Sequence, residues 1–313
     1  MNTSSEGTQN PMKIILSIIL LVALGMTVMP QQKSARPELA ALVEAERSFS
    51  RSCVAKGLRA SFIEFFADDG VRFLPDPVNA QENFRRTPAP TAPQSFTLSW
   101  EPIFADISQA GDLGFTTGPY VVSDNAKKNP PSYGYYFSIW RKQSDSSWKV
   151  LIDYGTDLPA TAAADHPAFK TAGSTGWRHD AAKAGMDDAA VLSKLDRQIA
   201  MPSASQSMTS LYRQYLGREA RLHREGMMPL VDLNAISVYL DQQQLTTLAF
   251  EPIAAGMAQS GDLGYSYGKY SLQRKGTAQE TERGYYVRVW KRDGKGNWKI
   301  AIDVAKPLPK PRS

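Results

Sequence analysis

Hydrophobic positions early in the chain predict helices that precede a sheet. Residues 38–56 carry apolar side chains at helical spacing, so they predict one amphipathic helix, which Gly57 ends. One stripe of this helix is formed by Leu39, Leu42, Val43, Glu46, Phe49 and Cys53. A second short helix is predicted over 60–67, a strand over 71–74 and a third helix over 79–86.

Four strands are predicted next, at 96–107, 114–123, 133–142 and 148–154. Turn-forming residues separate them, which is typical of antiparallel strands joined by short loops. The order is therefore helix, helix, strand, short helix and four strands. We predict an α+β fold in which helices pack on one face of a curved antiparallel sheet.

The same pattern occurs a second time, 150 residues later. Of the 59 positions from 101 to 159, 21 are identical in 251–309 without a gap. The shared motifs are Gly-Asp-Leu-Gly at 111–114 and 261–264, Gly-Tyr-Tyr at 134–136 and 284–286, and Trp-Lys at 148–149 and 298–299. Upstream the match weakens, and a shift of one residue pairs Phe66 with Tyr215. A period of this length indicates a duplicated domain.

The duplication divides the chain into a first domain, residues 37–159, and a second domain, residues 187–309. Residues 160–186 are predicted to be a linker, because they are rich in Ala, Gly and Thr and show no apolar period. A short basic tail, residues 310–313, follows the second domain.

Residues 1–35 contain an uncharged apolar run, residues 14–29, directly after Lys13. This run has the length of a signal-peptide core and is slightly short for a membrane-spanning helix. We therefore predict a signal peptide and export, either to the periplasm or out of the cell. The alternative is an uncleaved anchor in the inner membrane, formed by residues 14–29.

Composition and charge exclude several classes of protein. With 42% hydrophobic and 21% charged residues, the chain has the composition of a globular protein. Its 36 Lys and Arg against 31 Asp and Glu give a net charge of +5 without a basic stripe, so no nucleic-acid partner is expected. The single cysteine, Cys53, allows no intrachain disulfide and is expected in the core. The three histidines, His166, His179 and His223, form no ligand set, so no metal and no cofactor are expected, and His223 is expected on the surface of a strand.

The repeated motif runs Trp/Phe-Glu-Pro-Ile, Gly-Asp-Leu-Gly-Phe/Tyr, Gly-Tyr-Tyr, Trp-Arg/Lys, Trp-Lys-Val/Ile and Asp. Together with the order of elements, it resembles the nuclear-transport-factor-2-like superfamily, and within it the SnoaL-like proteins of the "domain of unknown function 4440" type. The resemblance implies two tandem cone-shaped α+β barrels, each with an apolar pocket between its helices and its concave sheet. Members of this superfamily include isomerases, cyclases, dehydratases and non-catalytic binding or dimerisation modules, and the fold does not choose among them.

Tyrosines and an aspartate on the strands form the candidate ligand pocket. Tyrosine hydroxyls can hydrogen-bond a small ligand, and an apolar wall raises the pKa of a carboxylate. The candidates are Tyr120, Tyr135 and Asp153 with their repeat mates Tyr270, Tyr285 and Asp303. Strand alternation places Asp153 on the face of Lys149, opposite Trp148, which favours a solvated strand-end carboxylate over a pocket acid.

Large aromatic residues also occupy the opposite face of strand 133–142 and of its repeat. They are Tyr136, Trp140, Tyr286 and Trp290. Both faces of each sheet are therefore expected to be covered. We predict that the two repeats pack sheet to sheet as an intramolecular pseudo-dimer, as superfamily members often do, with these four residues at the interface.

Two classes of function remain open from the sequence. One is an exported, non-catalytic module that binds a small apolar molecule or another protein. The other is a cofactor-independent isomerase, cyclase or dehydratase that uses a pocket Asp and Tyr. The scarcity of histidine and the absence of Tyr from the helix 38–56 favour the first.

Overall fold

A computed structural model of the protein describes residues 37–88, 94–159, 168–173, 188–202, 205–276 and 282–309. The predicted signal peptide or anchor (residues 1–35), the tail (310–313) and most of the linker (160–186) lie outside the described residues. Within the described ranges, no helix is long and apolar enough to cross a membrane.

The first repeat forms a mixed α+β half with one sheet. Its helices are α1 (Pro37–Lys56), α2 (Leu58–Phe65) and α3 (Ala80–Arg86). Its strands are β1 (Phe66–Phe73), β2 (Pro77–Asn79), β3 (Phe96–Trp100), β4 (Phe104–Ile107), β5 (Leu113–Asp124), β6 (Ser132–Lys142), β7 (Trp148–Asp157) and, from the linker, β8 (Lys170–Thr171). The sheet order is β2-β1-β7-β6-β5-β4-β8, and β3 also pairs with β5.

The second repeat forms a separate sheet and follows the same order of helices and main strands, without counterparts of β2 and β8. Its helices are α4 (Asp188–Gln198), α5 (Met208–Tyr215) and α6 (Leu233–Gln242). Its strands are β9 (Leu216–Arg224), β10 (Leu245–Met257), β11 (Leu263–Arg274), β12 (Glu282–Arg292) and β13 (Trp298–Pro307), in the order β10-β11-β12-β13-β9. In both sheets the strand after the second helix, β1 or β9, runs parallel to the last strand, β7 or β13. The last strand is antiparallel to its other neighbour, β6 or β12. The predicted α+β class is therefore confirmed.

Most predicted elements are present, with shifted ends. The second helix ends at Phe65, because the backbone of Phe66 is already extended, with φ −75° and ψ 146°, and enters β1. The single strand predicted over 96–107 is divided into β3 and β4 at Glu101–Ile103, whereas the equivalent β10 is continuous.

The repeat offset of 150 also holds in the helical part of each half. Phe66 lies opposite Val150, and Leu216 lies opposite Ile300 in the same way. Phe66 therefore corresponds to Leu216, and the one-residue shift that paired it with Tyr215 is wrong. The unshifted alignment makes Glu46 of α1 equivalent to Asp196 of α4.

Hydrophobic residues form a separate core under the helices of each repeat. Leu42, Phe49, Cys53 and Trp140 belong to the core of the first repeat, so the predicted burial of Cys53 is confirmed. The core of the second repeat includes Leu192, Leu222 and Trp290. Burial of such apolar surface is the main stabilising contribution in each half.

A further cluster, which we call the inter-sheet core, contains residues from both sheets. It includes Phe137 and Ile139 of β6 with Val287 and Val289 of β12. The predicted interface residues Tyr136, Trp140, Tyr286 and Trp290 lie instead in the helix-side cores. The sequence prediction therefore reversed the two faces of the strand, because alternation separates two faces without showing which one the helices cover.

A β-bulge in the last strand of each sheet changes the alternation near its carboxylate. Trp140 pairs with Val150 and Ile139 pairs with Ile152, so Leu151 is an extra residue. The equivalent extra residue of the second sheet is Ala301. Beyond the bulge Asp153 pairs with Ser138 and so faces the helices. The predicted grouping of Asp153 with Lys149, opposite Trp148, is therefore wrong.

The Gly-Asp-Leu-Gly turns exchange hydrogen bonds between the repeats. The Gln109 N–H donates to the carboxylate of Asp262 at 3.1 and 3.2 Å, and the Gln259 N–H donates to Asp112 Oδ2 at 2.9 Å. The same patch of each repeat thus contacts its counterpart reciprocally, as in an interface with two-fold symmetry. The turn glycines 111 and 261 have φ of 71° and 64°, as expected for the predicted turns.

Candidate functional site

The first repeat encloses a cavity of about 260 Å³ between α2, β3, β5 and the end of β7. Its apolar wall consists of Leu58, Phe62, Phe96, Leu98, Trp100 and Val122. The polar side chains that line it are Tyr120, Tyr136 and Asp153. A concave, mostly apolar space with a few polar groups is typical of small-molecule sites.

Asp153 is the acid of this cavity. Ser138 Oγ donates a hydrogen bond to its Oδ2 at 3.1 Å, and within the described part of the chain Asp153 forms no ion pair. Burial raises the pKa of Asp153 to about 6, although the Ser138 hydrogen bond and the charge of Arg72 act in the opposite direction. Asp153 can therefore hold or release a proton near neutral pH.

Two tyrosines differ in how their hydroxyls are used. Tyr136 is only 6% exposed, and its buried hydroxyl lies beside Thr116 without a well-formed hydrogen bond to the described residues. Burial raises the pKa of Tyr136 well above its ordinary value, so the hydroxyl stays protonated. The Tyr120 hydroxyl donates to the carboxylate of Asp157 at the rim of the cavity. A buried hydroxyl without a well-formed hydrogen bond is costly, and a ligand acceptor would relieve this cost.

Glu46 lies behind the aromatic wall, completely buried. Its carboxylate accepts hydrogen bonds from the indole N–H of Trp100, from that of Trp140 at 2.7 Å and from Thr116 Oγ1. Burial raises the pKa of Glu46 to about 7 despite these three donors. Glu46 thus fixes the Trp100 ring that forms part of the cavity wall.

The equivalent cavity of the second repeat is almost filled, with a volume of about 60 Å³. Eight of its lining residues lie 150 positions after lining residues of the first cavity: Met208, Tyr212, Leu248, Phe250, Tyr270, Leu272, Asp303 and Ala305. The two cavities therefore occupy the same place in the two halves.

In the second repeat Arg288 replaces Ser138 and binds the carboxylate of Asp303, which lines the smaller cavity. Its side chain is completely buried, with Nε 2.7 Å from Asp303 Oδ2 and Nη1 2.5 Å from Asp196 Oδ1. Arg224 pairs with the other oxygen of Asp303 at 2.7 Å, and the Tyr212 hydroxyl donates to Asp303 as well. Burial alone would raise the pKa of Asp303, but the charges of Arg224 and Arg288 reverse the direction and lower it to about 2. Asp303 is therefore a permanently ionised structural carboxylate.

Only four of the six predicted pocket residues line the two cavities. Tyr120 and Asp153 line the first cavity, and Tyr270 and Asp303 line the second. Neither Tyr135 nor Tyr285 lines these cavities.

Those two tyrosines lie on the other face of their sheets. Tyr135 packs with Ile103 and Leu158. Tyr285 belongs to the inter-sheet core, and its hydroxyl donates to Asp76 at 2.5 Å.

The residues predicted at an interface have roles inside each repeat. Tyr136 lines the cavity and Trp140 donates to Glu46. The Tyr286 hydroxyl donates to Asp196 at 2.9 Å, and Trp290 Nε1 donates to Ser266 Oγ at 3.0 Å.

The buried charges of Glu46, Asp196 and Arg288 are not among the site residues that the sequence predicted. A signal existed, because Glu46 interrupts an apolar helical stripe and Asp196 repeats the acid 150 residues later. A buried carboxylate needs hydrogen-bond donors or a cation beside it. An acid that recurs within an apolar stripe therefore predicts the donors found at Glu46 and the ion pair found at Asp196.

No metal site is formed by the described residues, which contain no group of three or more His, Cys, Asp or Glu side chains suited to a metal ion. His223 lies on β9 as expected for a strand residue, but it is 1% exposed rather than on the surface. Burial and the charges of Arg221 and Arg224 lower its pKa to about 3, so it is neutral.

No family model matches the sequence, and a comparison with the curated proteins found no match. Among solved structures, the chain is similar to an NTF2-like protein of unknown function from Shewanella oneidensis MR-1, at 15% identity over 38% of this chain and 97% of that chain, with a TM-score of 0.31. It is similar to an NTF2-like protein with a cystatin-like fold from Novosphingobium aromaticivorans, at 14% identity over 40% and 85%, with a TM-score of 0.32. It is also similar to a ketosteroid isomerase-like protein from Erwinia carotovora atroseptica SCRI1043, at 12% identity over 33% and 82%, with a TM-score of 0.29.

Proposed function

We propose that the first repeat binds one small, largely apolar molecule in the cavity between α2 and the sheet. The observation that carries this proposal is an open apolar cavity with two polar groups that the protein leaves available. These groups are the carboxylate of Asp153, which forms no ion pair among the described residues, and the hydroxyl of Tyr136, which has no well-formed hydrogen bond there.

The size of the cavity limits the ligand. At about 260 Å³ it lies near the lower end of ordinary ligand sites. It fits a molecule of roughly one or two rings whose polar end reaches Asp153 and Tyr136. The second repeat, in which the equivalent cavity is almost filled and Asp303 is paired with Arg224 and Arg288, serves a structural role in this proposal.

We further propose that both repeats are SnoaL-like, nuclear-transport-factor-2-like domains of the "domain of unknown function 4440" type. In this proposal residues 37–159 and 187–309 are the two domains, joined as an intramolecular pseudo-dimer. The apolar run at 14–29 supports export by a signal peptide or attachment by an anchor.

A second candidate function is cofactor-independent acid–base catalysis in the same cavity. The position of Asp153 in an apolar wall, with a pKa of about 6, favours it. Asp153 would take a proton from the ligand, while the Tyr136 hydroxyl would stabilise charge that develops on a ligand oxygen. An isomerase or dehydratase reaction fits these two roles.

Native mass spectrometry of the full-length purified chain tests the binding proposal. We expect a non-covalent mass excess of one small molecule per chain, because the apolar wall and the buried carboxylate should hold the ligand during gentle desolvation. Leu98→Trp should abolish the excess, since the larger side chain fills the cavity. Val238→Trp adds the same bulk at a position of α6 that is 48% exposed and should leave the excess unchanged.

A chain that carries no ligand, or a ligand that Leu98→Trp leaves in place, would contradict the proposal. With the bound molecule identified, Asp153→Asn separates the two candidate functions. If Asp153 is the base, this substitution should stop any conversion of that molecule. Unchanged conversion in the variant would eliminate catalysis by Asp153.

A further inference from the structure

We infer that the ligand of the first cavity is a cation, with a positive group of amidinium, guanidinium or ammonium type. This inference rests on the proposed binding function and specifies the class of ligand. It is drawn from the second repeat, where Asp303, the equivalent of Asp153, is paired with two cations that belong to the protein itself, Arg288 and Arg224.

The surroundings of the Arg288 guanidinium show what the space accepts. Its central carbon lies 4.3 Å from the ring centroid of Phe250 and 4.8 Å from that of Tyr286. Asp303 and Asp196 neutralise its charge at 2.7 and 2.5 Å. Aromatic faces and carboxylates together favour a cation over a neutral group of the same shape.

The first repeat keeps these surroundings and lacks the internal cation. Trp100 replaces Phe250 and Tyr136 replaces Tyr286, so both aromatic walls are present. Asp153 replaces Asp303, and Glu46 replaces Asp196 behind the wall. At the positions of Arg288 and Arg224 the first repeat has Ser138 and Leu74, which carry no charge.

The charge of the first site is incompletely balanced by its surroundings. Arg72 is the cation whose charge acts on Asp153, but the two form no ion pair. The Arg72 guanidinium carbon lies over the rings of Phe84 and Phe62, 4.4 and 5.6 Å from their centroids. Asp153 is therefore a buried acid whose neighbouring cation on β1 is not bound to it. A ligand cation against Asp153 and Trp100 would supply the charge that Arg288 supplies in the second repeat.

Benzamidinium and benzamide are the matched probes for this inference. They have nearly the same planar shape, and only the first is charged. Isothermal titration of the full-length chain should give a dissociation constant for benzamidinium at least about tenfold lower than for benzamide. Asp153→Asn should remove this preference, whereas Asp145→Asn, which removes an exposed carboxylate far from the cavity, should preserve it.

Ser138→Arg provides a second variant, because it would give Asp153 the guanidinium partner that Arg288 gives Asp303. It should abolish binding of benzamidinium. If Ser138→Arg does not fold, the ratio of the two affinities in the wild type and in Asp153→Asn still decides the question.

The possible failures are distinguishable. Equal affinity for the two probes, or a neutral retained molecule in native mass spectrometry, would overturn the cationic ligand and leave the binding function intact. Binding of neither probe, together with no retained molecule, would overturn both proposals.

Discussion

At the scale of single residues, one position distinguishes the surroundings of the two cavity carboxylates. Ser138 and Arg288 occupy equivalent places on the central strand, each paired with the carboxylate of the last strand. Asp196, which is one methylene shorter than Glu46, pairs with the Arg288 guanidinium. Glu46 instead reaches the indoles of Trp100 and Trp140, so the same site in the fold serves packing in one repeat and charge neutralisation in the other.

Glu46 should make stability depend on pH in a direction unusual for a carboxylate. Its pKa in the folded chain, about 7, lies above the ordinary value of 4.5, so between these values the folded state keeps a proton that the unfolded state has lost. The free energy of unfolding should therefore fall as pH rises from about 4.5 to 7. Asp153 contributes in the same direction up to about pH 6.

Urea denaturation of the wild type and of Glu46→Gln at pH 5 and pH 7.5 measures this effect. The wild type should lose about 2–3 kcal/mol more than the variant between the two pH values. Asp145→Asn, which changes an exposed carboxylate, is the control and should follow the wild type. A pH dependence equal in the wild type and in Glu46→Gln would show that Glu46 is ionised throughout.

At the scale of elements, the sequence predicts the helices and strands well and their faces poorly. The helix 38–56 is predictable because its apolar spacing depends on local sequence alone, and its buried residues include Leu42 and Phe49 as expected. The orientation of Asp153 is not, because the bulge at Leu151 arises from pairing with β6 and resets the alternation. The cavity residues Tyr120 and Asp153 were therefore predicted from their chemistry. The face of the sheet on which they lie follows only from the pairing of the strands.

Two strand glycines are required by the close approach of a neighbouring strand segment. A Cβ at Gly118 would lie 1.9 Å from the carbonyl oxygen of Glu101, and a Cβ at Gly268 would lie 2.2 Å from that of Glu251. We expect Gly118→Ala and Gly268→Ala each to lower the free energy of unfolding by about 1–3 kcal/mol, because backbone must move in both cases.

Gly173→Ala is the matched control, since its Cβ would meet only the side chain of Glu219, at 3.4 Å. Thermal and urea denaturation of the three variants give the comparison. Loss of stability in Gly173→Ala as large as in Gly118→Ala would argue against close backbone approach as the cause.

At the scale of the whole molecule, the two repeats meet through an apolar core and a polar exchange at its edge. The inter-sheet core contributes the buried area, with Phe137 and Val287 among its residues. The reciprocal bonds of Asp112 and Asp262 fix the register of one sheet on the other. These contacts join turns that lie about 150 residues apart in sequence, so they depend on long-range structure rather than local propensity.

Asp112→Ala and Asp262→Ala should each leave one backbone N–H of the other repeat without its acceptor. We expect each substitution to reduce the free energy of unfolding by about 1–3 kcal/mol. The double variant should show a coupling energy in a double-mutant cycle, because both carboxylates hold one contact. Lys128→Ala, at an exposed position, should have little effect, and purely additive losses for the two aspartates would contradict a shared contact.

The ion-paired interior of the second repeat has a consequence for how the protein can evolve. Because Arg288 satisfies Asp196 and Asp303 from within the chain, the second repeat needs no ligand to neutralise its buried carboxylates. If the first repeat binds a ligand as proposed, substitutions around Ser138 would alter which molecule is accepted without touching that ion-paired set. Recognition and structural support would then be free to change separately.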